Sequence, residues 1–510
     1  MDRPMRLSVA ASAVAMLATA HGAMAEGPFD AIETIVVIYA ENRSFDNLYG
    51  SFPGANGIAN APASARLQTD RDGTPLKELP PSWGGLTAKG VRPVVTEAMT
   101  AHLANAPFAI EDPKGLNLGL EVATRDLWHR FYQNQMQING GRNDRFAAWS
   151  DAGGLVMGYY DGSKLPMWQI AQQYVLADNF FMGGFGGSFF NHFYLACACA
   201  PTFSGAIESP ARPKLAAVDA DRVSLTLAAN SPKSALDGPP VFVSDGSITP
   251  DEFAVNTMQP PYQPSGLKPK AGGDPALADP GTAMSLPPQT MANIGDLLSA
   301  KAVSWAWYAG AWQAALDGNT ATPPTFQFHH QPFNYFASTA PGTPARAAHL
   351  RDGGMDGAGF IAAIDSGTLP QVTFYKPQGS LNEHAGYADV ASGDRHLADL
   401  IHHLERSPQW AHMVVVVTYD ENGGFWDHAA PPKADRWGPG TRVPAIVVSP
   451  FAKRGVVDHT QYDTGSILRL ISHKFGLPLL AGLKERDAAL AAGGLAPMGD
   501  LTAALVVPAN

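Results

Sequence analysis

Carboxylates, an amide, a serine and several histidines stand at the ends of apolar runs in this chain. Those residue types can hold a divalent cation and activate an oxygen nucleophile. The run Thr34-Ile-Val-Val-Ile-Tyr-Ala ends in Glu41 and Asn42, and the run Met413-Val-Val-Val-Val-Thr-Tyr ends in Asp420 and Glu421. Both runs are rich in β-branched residues and read as strands buried on both faces. Parallel strands of one sheet present their carboxyl ends on one edge, where ligands of open α/β sheets bind. Glu41, Asp420 and Glu421 would then meet, and a bound cation would offset their repulsion. A third stretch, Gly183-Gly-Phe-Gly-Gly-Ser188, places a serine directly after a glycine turn and at the start of an apolar helix. A helix start favours an anion. Phe190 stands where a Gly-x-Ser-x-Gly motif would have its second glycine, so a Ser-His-Asp esterase is not indicated.

The histidines fall into two kinds. His129 sits in 126–146, read as helical; His329 and His330 adjoin in an aromatic loop; His384 follows a strand at 371–375. His402 and His403 lie on a helix marked by Leu397, Leu400, Ile401 and Leu404 and read as solvated. Adjacent histidines suit a phosphate better than a metal, because neighbours seldom point the same way. Cys197 and Cys199 form no disulfide framework and read as buried structural thiols, with a local disulfide as the alternative.

The elements that must position these groups follow from pattern. A helix running into a short strand is expected at 165–179, a helix at 291–300, strands at 303–308 and 442–450, and a closing helix around Ile467, Leu468, Ile471 and Phe475. Segment 51–95, rich in Pro and Gly, reads as surface insertion, and 201–290 as an irregular lid or inserted cap, with one short strand at 241–243. Hydrophobic residues make up 45% of the chain and charged residues 16%, which excludes disorder and suits large buried surfaces. The net charge of -11 argues against nucleic acid as the main partner. Arg3 and Arg6, the apolar stretch 7–20 and Ala23-Met24-Ala25 form an export signal (1–25), with the mature domain expected over 26–510, exported to the periplasm or secreted. No other apolar stretch is long enough to span a membrane.

Four stretches together resemble the bacterial phosphoesterases that include secreted acid phosphatases and phospholipases C. They are Glu41-Asn-Arg-Ser-Phe-Asp46, Gly184-Phe-Gly-Gly-Ser-Phe-Phe-Asn191, Asp420-Glu-Asn-Gly-Gly-Phe-Trp-Asp-His428 and Gly440-Thr-Arg-Val-Pro-Ala-Ile-Val-Val-Ser-Pro450. The resemblance implies an α/β/α sandwich with a central, mainly parallel sheet, like the alkaline phosphatase superfamily. It implies one divalent metal ion of unspecified identity, held by Glu41, Asn42, Ser188, Asp420 and Glu421. Ser188 would be the nucleophile, and His129, His329 or His330, and His384 would form the phosphate pocket, with Asn191 a further donor to the phosphoryl oxygens. His428 belongs to the motif without an assigned role. Ala385 stands where the family often has proline, and no Cys-x-Pro-x-Arg motif marks a formylglycine sulfatase.

The chemistry then expected is attack by Ser188 on phosphorus, a phosphoserine intermediate and its hydrolysis by water. The paired His329 and His330 resemble the acid phosphatase branch, which points to phosphomonoesters. The alternatives are a phospholipase C-type phosphodiesterase acting on a lipid and a non-catalytic exported binding protein. Trp305, Trp307, Tyr308 and Trp312 could form a choline box, but core packing accounts for them better.

Overall fold

A computed structural model describes Met1 and residues 29–320 and 326–506. The expected export signal lies outside the described residues, apart from Met1. An eight-stranded sheet forms the centre. In chain order its strands are β1 (Thr34–Ala40), β2 (Val175–Ala177), β3 (Trp305–Gly310), β4 (Leu350–Gly354), β5 (Val372–Lys376), β6 (Met413–Tyr419), β7 (Ala445–Val448) and β8 (Val456–Asp458). The spatial order is β8-β2-β7-β6-β1-β5-β3-β4. All strands run the same way except β7, which is antiparallel to both β6 and β2.

β1 pairs with β5 on one side and β6 on the other, and all seven of its residues are buried. That burial explains its unbroken apolar run. The helices that position the site are α1 (Phe131–Ile138), α2 (Pro166–Gln173), α3 (Ser188–Cys197), α4 (Ile294–Ala300), α5 (Ala358–Asp365), α6 (Val390–Arg406) and α7 (Thr464–Phe475). They cover both faces of the sheet. Tyr39 donates to the Asn191 carbonyl on α3, at 3.2 Å. Its neighbour Ile38 shares a register row with Tyr375, whose hydroxyl meets His396 of α6 at 2.9 Å. Adjacent strand residues point to opposite faces, so α3 and α6 lie on opposite sides. α3 packs on α4 and α7, and α6 on α2 and α5. The architecture is the expected three-layer sandwich.

Four local expectations are corrected. Residues 126–130 are irregular, with Arg130 extended at the helix N-cap, and the helix spans only Phe131–Ile138, ended by Asn139 in the left-handed region. Cys197 and Cys199 form a disulfide, their Cα atoms 5.1 Å apart. The left-handed Ala198 that ends α3 turns the second cysteine back on the first. Segment 51–95 is not all surface: Leu79 and Leu86 are fully buried in the core. At 241–243 the structure has only an isolated bridge, Leu227 to Phe242. Residues 201–290 are held by 3-10 turns, such as Arg212–Lys214, and by isolated bridges. Among the described residues no helix is long and apolar enough to cross a membrane.

Candidate active site

The ends of β1 and β6 lie side by side, since Ala40 pairs with Tyr419. The residues that follow, Glu41, Asn42, Asp420 and Glu421, are all fully buried. Asn42 stitches them together. Its backbone N–H donates to Asp420 Oδ1 at 3.2 Å, and its side-chain Oδ1 accepts from Ser188 Oγ at 3.2 Å. Ser188 Oγ also lies 3.3 Å from Glu421 Oε1. His129 Nε2 completes this group, 3.4 Å from Asn42 Nδ2 and 3.6 Å from Glu421 Oε1. Burial opposes charge on His129, but Glu421 and Asp126 raise it to about 9. Burial raises Asp420 to about 7 against the pull of Lys376.

Glu41 faces a different set of partners. Its Oε1 contacts His330 Nε2 and the Lys376 ammonium, the latter at 2.9 Å. Its Oε2 accepts from Asn382 Nδ2 at 2.7 Å and Tyr387 at 3.0 Å. Burial works against its charge, but His330 and Lys376 hold it well below the usual range. Lys376 ends β5, is fully buried, and lies 3.8 Å from Asp420 Oδ2. The Nδ1 of His192, one turn along α3 from Ser188, lies 3.6 Å from the same oxygen and 2.7 Å from the Ser188 carbonyl. A carbonyl only accepts, so Nδ1 carries the hydrogen and Nε2 is a bare acceptor in the neutral ring. Burial and Lys376 hold His192 well below its ordinary value. Sequence reasoning missed Lys376, His192, Asn382 and Tyr387. A lysine ending a buried parallel strand, beside Glu41, was the one signal available.

The glycine turn sets Ser188 in place. Gly186 has φ +92, and a Cβ there would stand 2.4 Å from the Phe131 nitrogen; at Gly187 it would stand 2.6 Å from the His129 carbonyl. The turn thus lies directly on 129–131, where the chain is extended at Arg130 and enters the helix at Phe131. Asn191 is not in the cavity. Its Oδ1 accepts from Gly184 N at 2.9 Å, and its Nδ2 donates to the carbonyls of Gly184, Gly186 and Gly187 at 3.1 to 3.3 Å. Its donors are committed to the turn, so it positions Ser188 instead of meeting phosphoryl oxygens. α3 is buried along its whole length, which suits its apolar sequence.

A cavity of about 440 Å³ opens over Ser188. His129, His329, His384, Arg130, Tyr387 and Phe189 line it from the core, while Lys214, Ser247, Asn256, Thr257 and Met284 line it from 201–290. No Asp or Glu is among its lining residues. His384 stacks on Tyr387 with ring centres 4.5 Å apart and meets His129 edge-on at 5.4 Å. His330 is buried behind the cavity, its carbonyl held by Trp307 Nε1 at 2.7 Å. Trp305, Trp307, Tyr308 and Trp312 are buried core residues. A larger groove of about 1190 Å³, beside Tyr132 and Arg436, contains none of the expected site residues.

His428 lies elsewhere. Its Nδ1 meets Asp46 Oδ2 at 2.6 Å, and Arg442 binds Asp46 at 3.1 Å and Asp427 at 3.1 Å. Asp427 Oδ2 accepts from the Asp46 N–H at 3.0 Å. This buried network ties 41–46, 420–428 and 440–450 into one unit. Three of the four sequence motifs are therefore joined by structure behind the site.

The donors present fit a divalent cation. Asn42 Oδ1 and Glu421 Oε1 converge on Ser188 Oγ, and Asp420 Oδ2 is buried without a hydrogen bond. Glu41 and Asp420 also come close enough to share an ion with His192, as does Glu41 with His329 and His330. Oxygen donors with flanking imidazole suit a hard or borderline ion.

A family model described as Phosphoesterase family matches residues 32–478. The chain belongs to the phosphoesterase family. Phospholipase C A of Mycobacterium tuberculosis is 24% identical over 506 residues, covering 93% of this chain and 77% of that protein. The non-hemolytic phospholipase C of Burkholderia pseudomallei is 24% identical over 495 residues, covering 87% of this chain and 55% of that one. A solved protein of the alkaline phosphatase superfamily from Vibrio parahaemolyticus is 12% identical, with a TM-score of 0.25, covering 39% of this chain and 50% of that one. That likeness is too slight to bear on function. As a member of the phosphoesterase family, the protein is a hydrolase of phosphoric ester bonds.

Proposed function

We propose that this phosphoesterase is an exported acid phosphatase that hydrolyses small phosphomonoesters through Ser188. The cationic cavity carries the reading: three histidines, Arg130 and Lys214 line it and no carboxylate does. A monoester offers three non-bridging phosphoryl oxygens to these donors and a diester only two, so a cavity lined by donors and no carboxylate favours the monoester. A quaternary ammonium headgroup would call for carboxylates or an aromatic cage instead. Burial holds His329 and His384 below their ordinary values. They therefore gain charge only as pH falls, which suits an acid optimum.

Asn42, Ser188, Asp420 and Glu421, with Glu41 beside them, would hold the metal. A bound divalent cation supplies a lowered pKa for the Ser188 hydroxyl and offsets charge on a phosphoryl oxygen. Asn42 and Glu421 aim Ser188 Oγ at phosphorus. Ser188 gives up its hydroxyl proton to solvent, the new bond runs from Oγ to phosphorus as the ester oxygen leaves, and His384 or His329, protonated in acid, donates to that oxygen. Water then hydrolyses the phosphoserine. His129, held cationic by Glu421, steadies the negative oxygens. Lys376 fixes Glu41 and Asp420, and 201–290 supplies the outer wall of the cavity.

Two measurements test this. Wild-type protein should release phosphate from an aryl phosphomonoester at acid pH, and Ser188→Ala should reduce turnover at least about a thousandfold while keeping its fold. Chelation should abolish activity and a divalent salt restore it. Retained activity in Ser188→Ala removes Ser188 as nucleophile. The named phospholipases C support a second reading, a phosphodiesterase acting on lipid headgroups. Release of a phosphorylated headgroup, with no monoester hydrolysis, would favour it.

A further inference from the structure

The cavity over Ser188 has two walls. The core supplies the serine and histidines, and the insertion supplies Lys214, Ser247, Asn256, Thr257 and Met284. Its two non-histidine cations differ in their surroundings. Arg130 is held by Asp245, with one guanidinium nitrogen 2.9 Å from the carboxylate and another donating to the backbone carbonyl at 2.8 Å. Lys214 ends the 3-10 turn Arg212–Lys214 and is half-buried. Among the described residues its ammonium has neither an ion pair nor a hydrogen-bond acceptor. No lining residue offers it a counter-charge, so its donors are open to solvent or to an anion in the cavity.

The transferred phosphoryl group belongs at the core wall, beside Ser188 and His129. The cavity holds several times the volume of a phosphate ion. On the phosphomonoesterase reading above, we infer that Lys214 takes a second anionic group of the substrate. The preferred substrate is then a small phosphomonoester that also carries a carboxylate or a second phosphate. Arg130, already neutralised by Asp245, shapes the wall beside it. A charge-assisted contact of this kind is worth about tenfold in affinity.

The test uses full-length Ser188→Ala protein, so that binding is read without turnover. Calorimetry compares glycerol 3-phosphate with 3-phosphoglycerate, the carboxylate arm, and with 1,3-propanediol bisphosphate, the phosphate arm. At least one doubly anionic ligand should bind about tenfold tighter than glycerol 3-phosphate, and the tighter arm names the group. Adding Lys214→Gln should bring that ratio to within about twofold, and Lys214→Arg should preserve it. Equal binding of all three ligands, or a ratio that survives Lys214→Gln, overturns the inference. Wild-type turnover of the same compounds is scored separately. A binding preference without turnover would retain Lys214 and overturn the phosphatase reading.

Discussion

Replacing Lys376 with Met should expose how the buried carboxylates are balanced. The ammonium lies 2.9 Å from Glu41 Oε1 and 3.8 Å from Asp420 Oδ2, and all three residues are fully buried. At an effective dielectric of about 20, those two contacts are worth about 6 and about 4 kcal/mol of Coulomb attraction. The substitution also removes the desolvation penalty of a buried ammonium, which is several kcal/mol. The net loss expected on breaking such a pair is about 3 to 5 kcal/mol.

The loss should fall unevenly. Glu41 keeps His330, Asn382 and Tyr387. Asp420 Oδ2 keeps no hydrogen-bond donor, so Asp420 should escape by taking a proton. Burial already holds it near 7 with the lysine present, and without the lysine it moves higher. In metal-free protein, the stability deficit of Lys376→Met should therefore be about 3 to 5 kcal/mol at pH 8 and shrink to below about 2 at pH 5, where Asp420 is protonated. Urea unfolding at both pH values measures it. A deficit below about 1 kcal/mol at pH 8, or one independent of pH, would refute the charge balance.

Three further perturbations probe the frame. Asp394 on α6 is buried, with one oxygen accepting from Met167 N at 2.9 Å and the other unpartnered; burial raises it from 3.8 to about 7. An acid raised in the fold costs stability as pH climbs from its unfolded to its folded value, so wild type should lose about 4 kcal/mol between pH 4 and 7 from this group. Asp394→Asn should remove that slope in urea titrations, and an unchanged slope contradicts the assignment. Gly186→Ala places a methyl 2.4 Å from the Phe131 nitrogen at φ +92. It should destabilise by about 1 to 3 kcal/mol and lower kcat/KM about a hundredfold by shifting Ser188 from His129. Parallel denaturation and kinetics separate the two effects. Replacing Cys197 and Cys199 with Ser opens a three-residue loop and should cost about 1.6 kcal/mol by loop entropy; a loss above about 4 kcal/mol would show a larger role for the bridge.

The central strands were legible because burial on both faces writes itself as unbroken β-branched runs. Residues 34–40 and 413–419 could hardly be anything else. The direction of a strand leaves no such mark, and nothing in Ala445-Ile-Val-Val marks β7 as antiparallel. The helical reading of 126–146, with its break at Gly140-Gly141, failed at its start for a tertiary reason. Local apolar spacing permits the helix, but the glycine turn packs on 129–131, and the chain is extended at Arg130 before the helix begins at Phe131. The cysteine pair failed because a bridge over one residue needs a left-handed Ala198, which composition does not announce.

The candidate site was legible to the extent that its chemistry sits at strand ends. Glu41, Asn42, Asp420 and Glu421 follow the two clearest strands, and parallel pairing alone brings them together. The partners that hold them come from elsewhere. Asn382 and Tyr387 lie in an irregular loop, and His192 lies inside a helix so apolar that it reads as core. Asn191 was misread for the opposite reason: its motif position suggests substrate, while its amide closes a turn made almost wholly of glycine. A glycine turn has no side chains with which to fix itself, so the nearest polar side chain must do it. The same logic applies to Lys376. Three buried carboxylates demand positive charge, and some cation had to stand near them. The demand is readable from Glu41, Asp420 and Glu421, but which strand answers it depends on sheet order, and β5 lies beside β1 only in the folded sheet.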